Sequence, residues 1–381
     1  MANYCLPPTL FPPFEQVEIA STTGNWSSFE RFVRERALQG YKAEDAPDKE
    51  LSKFMNSPLS WDLKALNHKN SDPVWWGTHS WSAPAGAAPF ILAEWPELLA
   101  ELFKEPRSLL HLLGATFTHC SILYIADDSD IELSCNSFTP GSRELVLIGV
   151  TPGKRLAIQD ISQPDGLCSR TIIGVVGAGA QVTMKTEYVG SRPSTLASHD
   201  RWYLEKEAVL SYGEVLTGVD QSWIRKEFIL CERAEVTYTW LAALKKSEQA
   251  ALTTVQKHVG ASSSSRLTVK AVLSEEARSF YRGTIGITQE ARLSSADQQQ
   301  RALLVSPFAR TCAIPSLEVA AHEVTCQHGS AAGKFNPQEV QYLRSRGMDT
   351  EQSQHLLIEG FFNEPFLEPP SLDRLKEQVI F

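Results

Sequence analysis

Three neighbouring stretches decide the fold class: AEVTYTWLAAL (234–244), SRLTVKAVL (265–273) and GTIGITQEA (283–291). Each is rich in Val, Ile, Thr and aromatic residues, the side chains that fit a pleated, half-buried surface. The same texture runs back through QVTMKTEYVG (181–190), RTIIGVV (170–176), RELVLIGV (143–150) and SILYIA (121–126), with Gly, Ser, Asp and Pro between the runs. No helical-period segment of useful length intervenes across 116–334, which argues against a βαβ fold. Many short strands over more than 200 residues leave a sandwich, a barrel or a parallel β-helix. The Asn-Gly turns of an antiparallel meander are absent, which favours the β-helix even though no fixed-period repeat is readable. GVVGAGAQV (174–182) lacks the following helix of a dinucleotide-binding loop and reads as tight solenoid turns. GASSSSR (260–266) reads as a flexible loop tip.

Both flanks of this β zone read as helical. In residues 1–115, SSFERFVRERALQG (27–40) has a serine N-cap, Phe29, Phe32 and Val33 at helical spacing, and Gly40 as a stop. WPELLAELFKEPRSLLHLLG (95–114) reads as a helix interrupted at Pro106, and six of the nine tryptophans fall in this zone. In residues 335–381, Asn336 caps a helix with Pro337 at its first position and Gly347 at its end. Asp349 then caps a second helix, with Gln352 at the capping-box position and Leu356, Leu357, Phe361 and Phe362 as its apolar face. The organisation expected is therefore a helical domain over 1–115, a mainly β core over 116–334 and a C-terminal helical pair over 335–381.

Composition narrows the function classes. Of 381 residues, 43% are apolar and 21% charged, as in an ordinary globular protein. The formal charge of −9 argues against nucleic acid or an anionic membrane as partner. No apolar run approaches the ~18 residues of a membrane helix, and MANYCLPPTLFPP lacks the regions of an export signal. Seven irregularly spaced cysteines read as reduced thiols, so the expected compartment is the cytoplasm.

The chemistry-bearing segment is HEVTCQHGSAAGKF (322–335). Strand parity puts Cys326 and His328 on one face, with Glu323 on the other. A thiolate beside an imidazole suits zinc, copper or iron–sulfur species, but a lone C-x-H does not complete four ligands, and taken by itself the segment reads better as a strand end with a buried Cys and a satisfied His. A carbohydrate-active β-helix enzyme would need paired acids on one strand face, and ADDSD (126–130), the one acidic cluster, reads as a solvated turn. No G-x-x-x-x-G-K-[ST] phosphate loop is present, and no nucleophile dyad is readable. A stand-alone metal-binding protein remains the other reading.

One resemblance sharpens these alternatives. Residues 281–362 carry, in order, F-x-G-x-I at Tyr281–Ile285, A-D-x-Q at Ala296–Gln299, P-x-L-E at Pro315–Glu318, C-x-H-G at Cys326–Gly329 and Y-L-R-S-R-G at Tyr342–Gly347. This series closely resembles the C-terminal part of the SufB/SufD family of iron–sulfur cluster assembly proteins, with a looser likeness back to about residue 140. Tyr281 stands where phenylalanine is usual, Gln327 where serine is usual, and Gln341 replaces the phenylalanine before Y-L-R-S-R-G. The SufB type carries a cluster-accepting cysteine where this chain has Gln300, and a glutamate where it has Gly329, so the resemblance is to the SufD type. It implies a right-handed parallel β-helix and no catalytic residue. It also implies a SufB-like partner at the β-helix end and a SufC-like ATPase on the C-terminal helices, with Tyr342, Arg344, Arg346 and Phe361 as docking residues. A transient iron–sulfur cluster or iron would be shared with the partner at His328 and Cys326. A flavin in the complex, and self-pairing of the chain when its partner is missing, are left open by the sequence.

Overall fold

The computed structural model describes residues 119–125, 128–138, 142–190 and 193–379. The helical zone expected over 1–115, with its helices at 27–40 and 95–114 and its tryptophans, lies outside the described residues. Sixteen strands follow one another and alternate between two parallel sheets. One sheet takes β1 (His119–Ile125), β3 (Arg143–Val150), β5 (Gly166–Val176), β7 (Ser194–Leu204), β9 (Gln221–Leu230), β11 (Gln249–His258), β13 (Arg278–Ile287) and β15 (Arg310–Val319). The other takes β2 (Ser129–Phe138), β4 (Arg155–Pro164), β6 (Gln181–Val189), β8 (Val209–Thr217), β10 (Glu235–Leu244), β12 (Ser264–Leu273), β14 (Ser295–Leu304) and β16 (Thr325–Gly333). The chain thus coils as a parallel β-solenoid of about seven turns.

Because successive strands stack in register, one inward position in a strand lies over the same position in the next turn. On one wall Leu204, Leu230, His258, Ile287 and Val319 form such a column. On the other, Tyr212, Tyr238, Leu267, Gln298 and His328 do. Most inward residues are fully buried Leu, Ile, Val, Tyr and Trp, which supply the burial that holds the coil together.

The corners explain why no repeat is readable. Gly153, Gly179, Glu207, Arg233, Ser262 and Leu293 all have positive φ, between 55 and 73°. Each donates its backbone N–H to a carbonyl of the next turn, respectively Ala178, Lys206, Glu232, Ala261, Arg292 and Glu323. The left-handed conformation is therefore repaid by a turn-to-turn hydrogen bond rather than by a particular residue type.

The lumen also holds polar groups, and several of them form partnered clusters. The Lys226 ammonium lies 2.6 Å from Asp200 and 2.5 Å from Glu214, and Tyr212 donates to Asp200 at 2.8 Å. Burial disfavours the charge on Lys226, but the two carboxylates outweigh it and hold the group above its usual range. GASSSSR is not a flexible loop tip. Gly260, Ala261 and Ser262 turn the corner, Ser263 and Ser265 are buried, and His258 sits between their hydroxyls at 2.7 Å on either ring nitrogen. Ser263 in turn donates to the Gly260 carbonyl at 2.9 Å. The serines that look like a linker are thus the hydrogen-bond shell of a buried histidine.

Three helices, not two, follow the last strand: α1 (Pro337–Ser345), α2 (Thr350–Phe362) and α3 (Pro369–Val379). Asn336 caps α1, and Asp349 with Gln352 closes a capping box on α2. The buried face of α2 is Ser353, Ile358 and Phe362, whereas Leu356 is exposed. Ile358, Phe362, Leu375 and Val379 pack on Val215, Leu241, Ala243 and Val272, the outer face of the even-numbered sheet. Polar pins surround this seam: Lys270 with Glu364 at 2.7 Å, Gln378 with Glu248 at 2.9 Å, and Arg374 and Ser371 with Glu187. Gly213 leaves room for the Phe366 ring, which a Cβ would overlap.

Two predictions follow from this packing. Gly213→Ala should lower unfolding stability by ~1–3 kcal/mol through overpacking, and should cost almost nothing in a Phe366→Ala background. Equal costs in both backgrounds, measured by urea denaturation, would contradict the fit. Burial lowers His258 from 6.5 to about 4, so the unfolded chain takes up a proton before the folded one does. Its stabilisation is complete above pH 6.5 and is lost as pH falls towards 4, amounting to about 3 kcal/mol. His258→Gln should flatten the stability profile across that window relative to wild type; parallel profiles would refute the assignment.

Candidate functional site

The solenoid ends at β15 and β16, which are edge strands of their sheets. Inward positions that are buried elsewhere lie open here. Leu317 and Val319, stacked on buried Ile285 and Ile287, are 41% and 43% exposed. On the opposite wall Cys326 stacks on Ala296, His328 on Gln298 and Ser330 on Gln300. Ala296, Gln298 and Gln300 are buried in the lumen, so register places Cys326, His328 and Ser330 on the inward face of the last turn.

The three side chains differ in setting. Cys326 is half-buried against an apolar cluster of Ile285, Ile287, Ala291, Ala296 and Ala321, and burial pushes its thiol up from the usual range. His328 is exposed. Ser330 donates to the Gln300 Oε1 at 2.8 Å. Gln327 and Gly329 fall on the outward face, where a Cβ on Gly329 would collide with the Gln299 carboxamide.

Strand parity, applied from sequence to Glu323, does not reach Glu323 or the preceding His322. Both are exposed in the bend before β16, and the Glu323 carbonyl accepts the Leu293 N–H at 2.7 Å. Val324 joins Cys326 in the apolar end cluster.

Chemically, the arrangement offers one soft sulfur and one imidazole at an open rim. Among the described residues no three His, Cys, Asp or Glu side chains converge as a metal site. An ion held at this rim would therefore need further ligands from outside the described residues. A thiol raised by burial must shed its proton on binding metal, whereas imidazole coordinates as a neutral ligand.

The helical residues lie elsewhere. Tyr342 is 57% exposed on α1, a helix with no buried residue, and Arg346 caps its C-terminus with its guanidinium 5.2 Å from the Tyr342 ring centroid. Arg344 is exposed. Phe361 is half-buried in the seam between α2 and the sheet, with Lys270 donating to its carbonyl at 2.7 Å. The structure thus sets Tyr342, Arg344 and Arg346 on a free face and Phe361 in internal packing.

Sequence reading passed over Ser330 and Gln298 and took Gln300 only as the absence of a cysteine. The signal was present: counting by twos from His328 reaches Ser330, and QQQ (298–300) alternates inward, outward, inward. What parity cannot supply is which residues of β14 and β16 face one another.

A family model described as SUF system FeS cluster assembly, SufBD core domain, matches residues 136–361. The chain is 29% identical over 149 residues to the iron–sulfur cluster assembly protein SufD of Escherichia coli, covering 39% of this chain and 35% of that protein. It is 30% identical over 123 residues to SufD of Bacillus subtilis, covering 32% and 28%. A SufBD family protein of Synechocystis is 37% identical over 95 residues, covering 25% and 21%. The chain therefore spans between about a fifth and about a third of these relatives' lengths. With a family match over more than half of its 381 residues, on a parallel solenoid that presents Cys-x-His at its last turn, the chain belongs to the SufBD family of iron–sulfur cluster assembly proteins.

Proposed function

We propose that this chain is a SufD-like, non-catalytic scaffold subunit that pairs through the open end of its solenoid with a SufB-like protein. Iron acquisition and nascent cluster assembly take place at the shared interface, with His328 as a ligand and Cys326 beside it. The observation that carries the reading is the position of His328: inward-facing by register, exposed, and on a turn beyond which no strand is stacked among the described residues.

The surroundings support pairing. Edge strands β15 and β16 and the exposed Leu317 and Val319 offer both hydrogen-bonding groups and apolar surface to a second chain. Gln300 is buried and accepts from Ser330, so the position of the SufB-type acceptor cysteine holds a structural amide here. This division fits a site whose sulfur ligands come mainly from the partner. A SufC-like ATPase docks through α1, where Tyr342, Arg344 and Arg346 form a cationic, aromatic face. The compartment proposed is the cytoplasm; no described helix is long and apolar enough to cross a membrane.

The other reading is a stand-alone metal-binding protein. Two ligands at an open rim favour the shared site, because mononuclear protein sites draw three or four ligands from the chain.

The test is co-expression with the cognate SufB-like and SufC-like proteins. His328→Ala should still co-elute as the complex on size exclusion but lose most of its iron and cluster absorbance. Unchanged iron in that complex would overturn the assignment of His328. Stoichiometric iron on the chain purified alone would favour the stand-alone reading.

A further inference from the structure

His328 stands directly over Gln298 in the register of β16 on β14. Adjacent strands lie about 4.8 Å apart, so these two inward side chains are neighbours across one turn. Gln298 is only 1% exposed, yet its carboxamide oxygen has no hydrogen-bond donor. An unpaired buried acceptor is costly and uncommon. Several inward neighbours are partnered: Gln300 accepts from Ser330, Thr254 pairs with the Tyr281 hydroxyl at 2.9 Å, and His258 is bonded on both ring nitrogens.

Space for this carboxamide is built into the opposite wall. Gly283 on β13 lies where any Cβ would overlap the Gln298 amide, so the side chain crosses the lumen towards a residue without one. Hydrophobic residues would fill the same volume without leaving an oxygen unpaired. The polar group is therefore kept at a standing cost, one turn behind the proposed ligand.

We propose that Gln298 is the positioning residue for His328: its Oε1 accepts the N–H of the imidazole when the end of the solenoid is closed by a partner, leaving the other ring nitrogen for iron. A coordinating imidazole has one remaining N–H, and an acceptor behind it fixes both ring orientation and tautomer. Gln298 is the buried acceptor nearest in register, and it is open. The inference rests on the reading of His328 as an iron ligand and adds what orients it. Gln256 provides an internal control, since its carboxamide oxygen is also buried and without a donor, but it stacks on Ile285 rather than under His328.

The experiment uses the complex with the SufB-like and SufC-like proteins, ferrous iron as the probe, and four variants: Gln298→Leu, Gln298→Glu, Gln256→Leu and His328→Ala. The readouts are size exclusion, melting temperature, iron affinity and the electron spin-echo signature of a coordinated imidazole nitrogen in the reduced cluster. Melted as the isolated chain, where the Gln298 oxygen has no donor, Gln298→Leu should unfold at or above the wild-type temperature, because it removes an unpaired polar group. It should nonetheless weaken iron binding 10–100-fold and perturb the nitrogen coupling. Gln298→Glu keeps an acceptor and should restore both, and Gln256→Leu should leave both unchanged. If His328→Ala loses iron while Gln298→Leu matches wild type, the positioning role is overturned and the ligand reading stands. Equal losses in Gln298→Leu, Gln298→Glu and Gln256→Leu would show a general need for lumen polarity and overturn it as well. If His328→Ala itself keeps its iron, the ligand reading fails and this inference falls with it.

Discussion

Parallel pairing in unbroken register is the constraint on which the rest of the molecule depends. Each turn of the solenoid satisfies the backbone groups and covers the inward side chains of the turn before it, so every turn needs a successor. Among the described residues the last one has none. β15 and β16 carry the consequences together: unpaired edges, exposed Leu317 and Val319 at positions that are core one turn earlier, and a histidine and a cysteine facing a lumen that is open beyond them. The C-terminal helices do not solve this, because α2 and α3 cover the outer face of the even-numbered sheet. A fold built by repetition thus delivers a reactive rim at a geometrically defined place, and only something that continues the stack can cover it.

The lumen behind that rim is not uniformly apolar, and the placement of its polar groups has a physical use. A register slip of two residues would keep apolar faces inward and cost little in hydrophobic burial. It would, however, carry Lys226 away from Asp200 and Thr254 away from the Tyr281 hydroxyl. Each would then be a buried polar or charged group without a partner, a penalty of several kcal/mol. The polar clusters therefore act as register pins in a structure whose apolar columns alone would tolerate slippage. Accurate register matters most at the far end, where the alignment of His328 over Gln298 is set by the accumulated register of the turns before it.

Strand content was legible because residue type reports a half-buried pleated surface directly, as in AEVTYTWLAAL and SRLTVKAVL. The repeat was not, because the corner conformation is held by a backbone hydrogen bond that Gly153, Glu207, Arg233, Ser262 and Leu293 make equally well. GASSSSR looked like a linker because its composition is that of one; Ser263 and Ser265 bond to His258 around the corner, and Ser263 bonds to Ser294 of the next turn, contacts that composition does not show. α1 and α2 were announced by their caps, while α3 went unread although Pro369 and Pro370 open it and Leu375 and Val379 are spaced to share a face. At the site, His328 and Cys326 were found by strand parity. Gln298 was not, because its significance lies in the pairing of two strands nearly thirty residues apart.

The open end also bears on which of the two candidate ligands is better suited to a site that must fill and empty. Covering the rim excludes water, and desolvation raises the cost of every charge there. The Cys326 thiol is already raised by burial in the uncovered chain, so closure by a partner makes its thiolate dearer still unless a metal is bound at the same moment. Imidazole carries no such penalty, since it coordinates as a neutral group and needs only a fixed orientation. On the proposed reading, an interface formed before iron arrives would favour His328 as the resident ligand, with Cys326 engaged only while metal is present. That asymmetry suits transient assembly: the sulfur bond that strengthens retention is the one that protonation and opening of the interface would release first.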